Sequence, residues 1–217
     1  MGSRPPRLQD PHGQIPFPAL RAAGDDTERG AVPGLALAQA DWHHRAMAEY
    51  FTSDTHFSDP RVLRIDRRPF ADLAEHDAAL IAAWQEIVGP GDTVWHLGDF
   101  ARDAPPGRAS AILAQLPGIK RLIIGNNDPD SVTSDPAWAS VAHYDEIERD
   151  GVRIVLCHYP FRTWRDSSRG AIDLHGHSHG RLTPATRQYD VGVDVFKFRP
   201  VTLDQIRAGR RRRAVKA

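Results

Sequence analysis

From Glu49 to Gly125 the chain alternates short apolar runs with longer segments of helical period, and glycine or proline stops almost every one. Tyr50-Phe51-Thr52 centres a first strand, Glu49 to Ser53. Phe70 to Val88 sets Leu73, Leu80, Ile81, Trp84, Ile87 and Val88 at helical spacing and halts at Gly89-Pro90-Gly91. Thr93 to Leu97 reads as a second strand ending at Gly98, and Arg108 to Leu116 as a short helix stopped by Pro117-Gly118. Arg121 to Ile124 is a third strand ending at Gly125. A β-α-β-α-β order admits few folds. The strands lie parallel, and the helices cross over to cover their sheet.

Beyond Gly125 the character changes. Val141 to Glu148, Val152 to Cys157, Ala171 to Leu174 and Tyr189 to Val195 read as strands, separated by turns such as Asp150-Gly151. Leu203 to Ala208 reads as a closing helix. A second sheet packed on the first accommodates these strands. Residues 1–45 are rich in Pro, Gly, Arg and Ala without a steady period, and read as a disordered or loosely attached extension. Residues 46–208 read as the folded domain, with Met47 just ahead of its first strand, and 209–217 as a basic tail.

Composition narrows the function classes. The 28 basic and 28 acidic residues cancel, so overall charge argues for neither nucleic acid nor a membrane surface. Arg210 to Arg213 offer weak support for phosphate contact, and solvation of such a tail is the commoner case. No apolar run is long enough to span a bilayer. The stretch Ala31 to Ala40 is too short for a secretory signal and is broken by Pro33-Gly34. The single Cys157 excludes an internal disulfide and suits a reducing compartment, so a cytoplasmic location is expected.

Ligands of open α/β sheets gather beyond the carboxyl ends of the strands. In this chain every such end offers an oxygen or an imidazole. Asp54-Thr55-His56 follows the first strand, Gly98-Asp99 the second, and Gly125-Asn126-Asn127-Asp128 the third. His158 follows Cys157, and His175-Gly176-His177-Ser178-His179-Gly180 follows the next strand. Residues two apart in an extended segment share a side, and glycine allows close backbone approach. One such residue is usually a cap or a satisfied polar group. Five groups in order point to metal. Two carboxylates, a carboxamide and four imidazoles suit Mn, Fe, Zn or Co better than Ca or Mg. Seven donors exceed the needs of one four-coordinate ion and match two ions sharing a carboxylate. Two divalent ions less Asp54, Asp99 and a bridging hydroxide leave a net positive charge, as phosphate binding and in-line displacement require.

These motifs resemble the calcineurin-like metallophosphoesterase superfamily, specifically a small bacterial branch, over roughly residues 48–205. The resemblance implies an α/β fold, a four-layer α/β/β/α sandwich of two packed mixed sheets flanked by helices. It implies a first metal on Asp54, His56 and His179, a second on Asn126, His158 and His177, and Asp99 bridging them. The cofactors would be two divalent ions, manganese first, with iron, zinc or cobalt as alternatives. A hydroxide between the ions would attack phosphorus in line, making the chain a phosphodiesterase or phosphatase. The phrase Tyr189-Asp-Val-Gly-Val-Asp also matches that branch. One departure stands out: the family usually has histidine where this chain has Asn127. Asparagine donates a hydrogen bond but gives up no proton at neutral pH. Asp99, Asn127 and Asp128 are therefore the candidate catalytic set, with protonation of the leaving group weakened. Good leaving groups then suffer least, which leans the reading towards phosphodiesters or nucleotides. The competing reading is a catalytically weak binding or scaffold module on the same fold.

Candidate substrate contacts are Tyr159, Arg162 and Trp164 in the segment after His158, and Arg102 after the second motif. Arginine forks grip phosphate and aromatic rings stack on flat groups. Phe57, Asp59 and Phe100 are expected at the rim, Phe57 and Phe100 equally as packing residues. His96 is expected in the core, His76 exposed on its helix, and His175 behind the ligands or simply ending its strand.

Overall fold

The computed structural model of the chain describes residues 45–183 and 185–214, with 210–214 by backbone alone. The expected extension, apart from Arg45, lies outside the described residues. In chain order the elements are β1 (Glu49–Thr52), α1 (Arg61–Arg64), α2 (Leu73–Ile87), β2 (Thr93–His96), α3 (Arg108–Gln115), β3 (Ile119–Ile123), α4 (Asp130–Thr133) and β4 (Ser140–Ala142). Then come β5 (Tyr144–Arg149), β6 (Val152–Cys157), a 3-10 turn (Ser167–Arg169), β7 (Ile172–His175), β8 (Gln188–Asp190) and α5 (Leu203–Ala214).

Two four-stranded sheets result, ordered β1-β2-β3-β4 and β5-β6-β7-β8. Neighbouring strands of the first are parallel, and an antiparallel bridge from Phe51 to Val201 adds a mixed partner at its β1 edge. In the second, β5 runs antiparallel to β6 and the remaining pairs are parallel. Alternation along each strand assigns the faces. Tyr50, Val94 and Leu122 pack under Leu80 and Trp84 of α2 and Ile112 and Leu113 of α3. Phe51, Trp95 and Ile123 face Ile154, Leu156, Ile172 and Leu174 of the second sheet. Each of these large side chains contributes about 1.5–3 kcal/mol on burial. The segment after β6 lies against β7: Phe161 N donates to Asp173 Oδ2 and Gln188 Nε2 to the Phe161 carbonyl. The architecture is thus an α/β fold of two mixed sheets flanked by helices, consistent with the four-layer sandwich of calcineurin-like phosphoesterases.

Local chemistry sets the helix ends. Asp72 caps α2 by accepting from Glu75 N at 2.8 Å, and the Glu75 carboxylate reaches back to Ala71 N, a near capping box. Three expected elements differ. The segment expected as one strand from Val141 to Glu148 is two, because β4 pairs with β3 and β5 with β6, so the chain changes sheets at His143. The strand expected from Tyr189 to Val195 stops at Asp190, and Gly192 instead bridges Ser53. The closing helix continues past Ala208 to Ala214, as arginine is a good helix former.

His96 is fully buried, its Nε2 on Thr55 Oγ1 at 2.9 Å and its ring edge-on to Phe100. Burial pushes this imidazole down to about 3; Asp99 opposes the shift, while His158 and His56 add to it. Below about pH 6.5 the unfolded chain takes up a proton that the folded one refuses, so stability falls as pH drops towards 3. The slope is about 1.4 kcal/mol per pH unit. Urea unfolding of metal-free protein at pH 7 and pH 5 measures it. The wild type is expected to lose about 2 kcal/mol more over that interval than His96→Gln. Equal losses would show that His96 is not the titrating group.

Candidate metal centre

The parallel strands deliver the first three motifs to one end of the first sheet. Their pairing continues into the loops: Asp54 N donates to the Gly98 carbonyl at 2.9 Å and His56 N to the Asp99 carbonyl at 3.0 Å. Gly98 has φ +91°, and a Cβ there would stand 2.5 Å from Gly125 N and 2.7 Å from His158 Nδ1. Only glycine lets these two loops and that imidazole meet. Five of the seven expected metal ligands, Asp54, His56, Asp99, His177 and His179, have positive φ between 48° and 65°. Side chains rarely hold this backbone, and it collects at functional sites where surrounding structure enforces it.

The donors converge. Ligand atoms of Asp54, His56 and His179 fall within 4.8 Å of one another, as do those of Asp54, Asp99 and His158. Asp99 Oδ2 lies 3.5 Å from His56 Nε2 and 3.6 Å from His158 Nε2, between the two imidazoles. Asn126 Oδ1 lies 3.1 Å from His158 Nε2 and 3.0 Å from His177 Nδ1. Donor atoms sharing one ion at about 2.1 Å stand roughly 3–3.5 Å apart, so these spacings suit a common cation. Two further observations fit a metal. His56 is 4% exposed, yet its Nε2, the nitrogen turned away from Asp59, has no hydrogen-bond partner among the described residues. Such orphaned buried nitrogens are rare and costly. Asp54 is fully buried; burial drives its carboxyl well above the usual range, His179 opposing and Asp190 and Asp99 adding to it. A cation would keep it ionised. The Asp and His clusters thus form a potential dinuclear metal-binding site.

Supporting groups aim the imidazoles. His158 Nδ1 donates to the Leu97 carbonyl at 2.7 Å, and His179 Nδ1 to Asp194 Oδ2 at 2.8 Å. His56 Nδ1 faces Asp59 Oδ2 at 3.3 Å. Each of the three thereby turns Nε2 towards the centre, the arrangement in which an oxygen behind a ligand fixes its tautomer. Asp194 is ionised well below the ordinary carboxylate range: burial alone would raise it, but the bonds from His179 and Arg68 outweigh burial. His179 is raised: burial would lower it, but Asp194 and Asp54 prevail. Asp99 is likewise lowered against its burial by His158, His56 and Asn127.

Asn127 sits beside Asp99, its main-chain N on Oδ1 at 2.8 Å and its Nδ2 on Oδ2 at 2.6 Å. Its own Oδ1 accepts from Arg102 at 2.9 Å and from Arg61 at 3.4 Å. Asp128 accepts from the main-chain N–H groups of Asp99, Phe100 and Gly125 and so ties two ligand loops together. Tyr159 is exposed, with its ring centroid 4.8 Å from that of His177. Trp164 turns back onto the Ala171 carbonyl, and exposed Arg162 makes no hydrogen bond or ion pair with described residues. The structure therefore places Arg102 beside Asn127 and Tyr159 beside His177.

Some residues take unexpected places. Asp59, expected at the rim, is fully buried, and of the two readings for Phe57 and Phe100 the packing one holds, both being fully buried. The two rings pack edge to face at 5.1 Å, while Asp59 holds Arg61 and His56 from behind. His76, expected to be exposed, is buried because its Nε2 meets Arg68 Nη1 at 2.9 Å. Arg61, Arg68 and Asp194 carry no motif of their own, although Asp194 closes the Tyr189-Asp-Val-Gly-Val-Asp phrase.

No protein-family model matches the chain. The gene 66 protein of Mycobacterium phage L5 is 33% identical over 190 residues, which cover 72% of this chain and 91% of the phage protein. The gene 66 protein of Mycobacterium phage D29 is 32% identical over 189 residues, covering 73% and 93%. Among solved structures, AQ665 of Aquifex aeolicus, a protein of unknown function, superposes with a TM-score of 0.60 at 22% identity, covering 75% of this chain and 99% of that one. That likeness shows a shared fold. The chain belongs to the family of the mycobacteriophage gene 66 proteins.

Proposed function

We propose that the chain is a metal-dependent phosphoester hydrolase acting on phosphodiesters or nucleotides. Asp54, His56 and His179 would hold one divalent ion, Asn126, His158 and His177 a second, and Asp99 both, with manganese the leading candidate. The observation that carries this reading is Asp99 Oδ2 standing 3.5 and 3.6 Å from imidazoles of two different loops. Bound ions would supply Lewis acidity and bring the pKa of water towards about 7.

The chain's own residues complete the chemistry. Arg61 and Arg102 converge on Asn127 Oδ1, which sets two guanidinium charges beside the centre for a phosphate. Both oxygens of Asp59 take the Nε and Nη2 donors of Arg61, at 2.9 and 2.5 Å, which fixes that guanidinium and leaves Nη1 for a phosphate oxygen. Tyr159 presents a ring on which a base or phenyl group would stack. Asn127 stabilises charge by donating an N–H but supplies no proton to a leaving alkoxide.

The test is turnover of bis(p-nitrophenyl) phosphate, p-nitrophenyl phosphate and cyclic nucleotides with and without manganese, beside metal analysis. Manganese-dependent cleavage is expected, with the diester preferred. Asn127→His is expected to raise turnover of alkyl esters about 100-fold and leave nitrophenyl esters nearly unchanged. Stoichiometric metal with no turnover on any ester would favour a binding scaffold instead.

A further inference from the structure

A cavity of about 540 Å³ lies between β8, the 195–201 segment and α5, and none of the seven metal ligands lines it. Its size falls in the range of small-molecule sites. Val195, Phe196, Val201 and Ile206 make its wall largely apolar. Two cations join them, Lys197 and Arg199, both exposed. Among the described residues Lys197 forms no ion pair and Arg199 pairs only with Glu86, at 3.5 Å. Asp190, the acid of the wall, already accepts from Ser178 Oγ, Gly180 N and Gly192 N. His175 also belongs to the wall and is 1% exposed. Its Nδ1 donates to the Gly176 carbonyl at 2.8 Å, which leaves Nε2 an acceptor, buried and without a partner among the described residues.

We propose that this cavity is a second ligand site, for an amphipathic organic anion whose apolar body fills the wall between Phe196 and Ile206 and whose acidic group meets Lys197 and Arg199. The site does not depend on the phosphoesterase reading. It adjoins the metal centre through the chain: β7 ends in His175, two residues before His177, and Asp190 holds the intervening loop at Ser178 and Gly180.

Fluorescence titration of the full chain with anilinonaphthalene sulfonate tests the proposal, with phenylnaphthylamine as the same body lacking the acid. Saturable binding of one sulfonate probe per chain is expected, about tenfold tighter than the neutral probe, with a rise in Tm. Lys197→Met with Arg199→Met is expected to erase that preference. Ala208→Trp, on an exposed position of α5 that borders the cavity, is expected to block both probes. Asp99→Ala is expected to leave both affinities unchanged. Binding that never saturates, a preference that survives loss of both cations, or affinity abolished by Asp99→Ala overturns the proposal. Should the double variant fail to fold, undiminished binding by Ala208→Trp overturns it alone.

Discussion

On the proposed phosphoesterase reading, replacing Asp99 with alanine is expected to reduce phosphoester turnover at least about 1,000-fold, since a carboxylate shared by two ions would underlie several kcal/mol of charge stabilisation. Its oxygen lies between His56 and His158 and would be the one group common to both ions. Losing it removes a negative charge from a centre with only one other buried acid among the ligands, Asp54, so bound manganese is expected to fall as well. The fold should survive: Asn127 N loses its Asp99 acceptor, but Asp54 N to the Gly98 carbonyl and the bonds that Asp128 accepts still join the loops. Turnover and metal content measured on the same preparation decide the matter. An Asp99→Ala protein that keeps its manganese and its rate would remove the basis for a shared carboxylate.

The largest loss of stability is expected from Arg68→Ala. The Arg68 side chain is 1% exposed and fully engaged. It donates to the Asp54 carbonyl at 2.6 Å, the Thr55 carbonyl at 2.8 Å, and both oxygens of Asp194 at 2.9 and 2.7 Å, and it meets His76 at 2.9 Å. Truncation strands a carboxylate and two carbonyls in the interior, for which about 3–5 kcal/mol and a Tm drop of roughly 10 °C are expected. It also frees Asp194, which holds His179, so metal affinity should fall about 10- to 100-fold. Arg68→Lys keeps the charge without the fork and should fall between the two. Thermal melts with manganese titration give both numbers. A variant melting within a degree or two of the wild type, with unaltered affinity, would refute the positioning role of Arg68.

The contrast between Asp99 and Arg68 shows what one sequence reveals. Asp99 follows an apolar run and a glycine, so its place at a strand end can be read from four neighbouring residues. Arg68 lies in Asp66-Arg67-Arg68, indistinguishable from a solvated charge run, and its partner Asp194 is 126 positions away. Likewise His76 looks exposed because its helix neighbours are polar, and contacts with Arg68, Asp77 and the ring of Phe70 cover it. At His143 the residues on both sides favour strand; which sheet each half joins depends on partners, β3 or β6, that local propensity does not encode.

Periodicity and punctuation by themselves determined the alternating strands and helices of the first half, and with them the parallel sheet whose carboxyl end gathers Asp54, Asp99 and Asn126. These signals are local: side-chain period and the conformational limits of glycine and proline act over a few residues. Only the tertiary structure decided which oxygen stands behind each imidazole, that two arginines converge on Asn127, and that a cavity with two cations and a buried histidine opens beside the ligand loop. Those are contacts between distant segments, fixed by packing and by the demand that buried polar groups find partners, and no stretch of chain carries them alone.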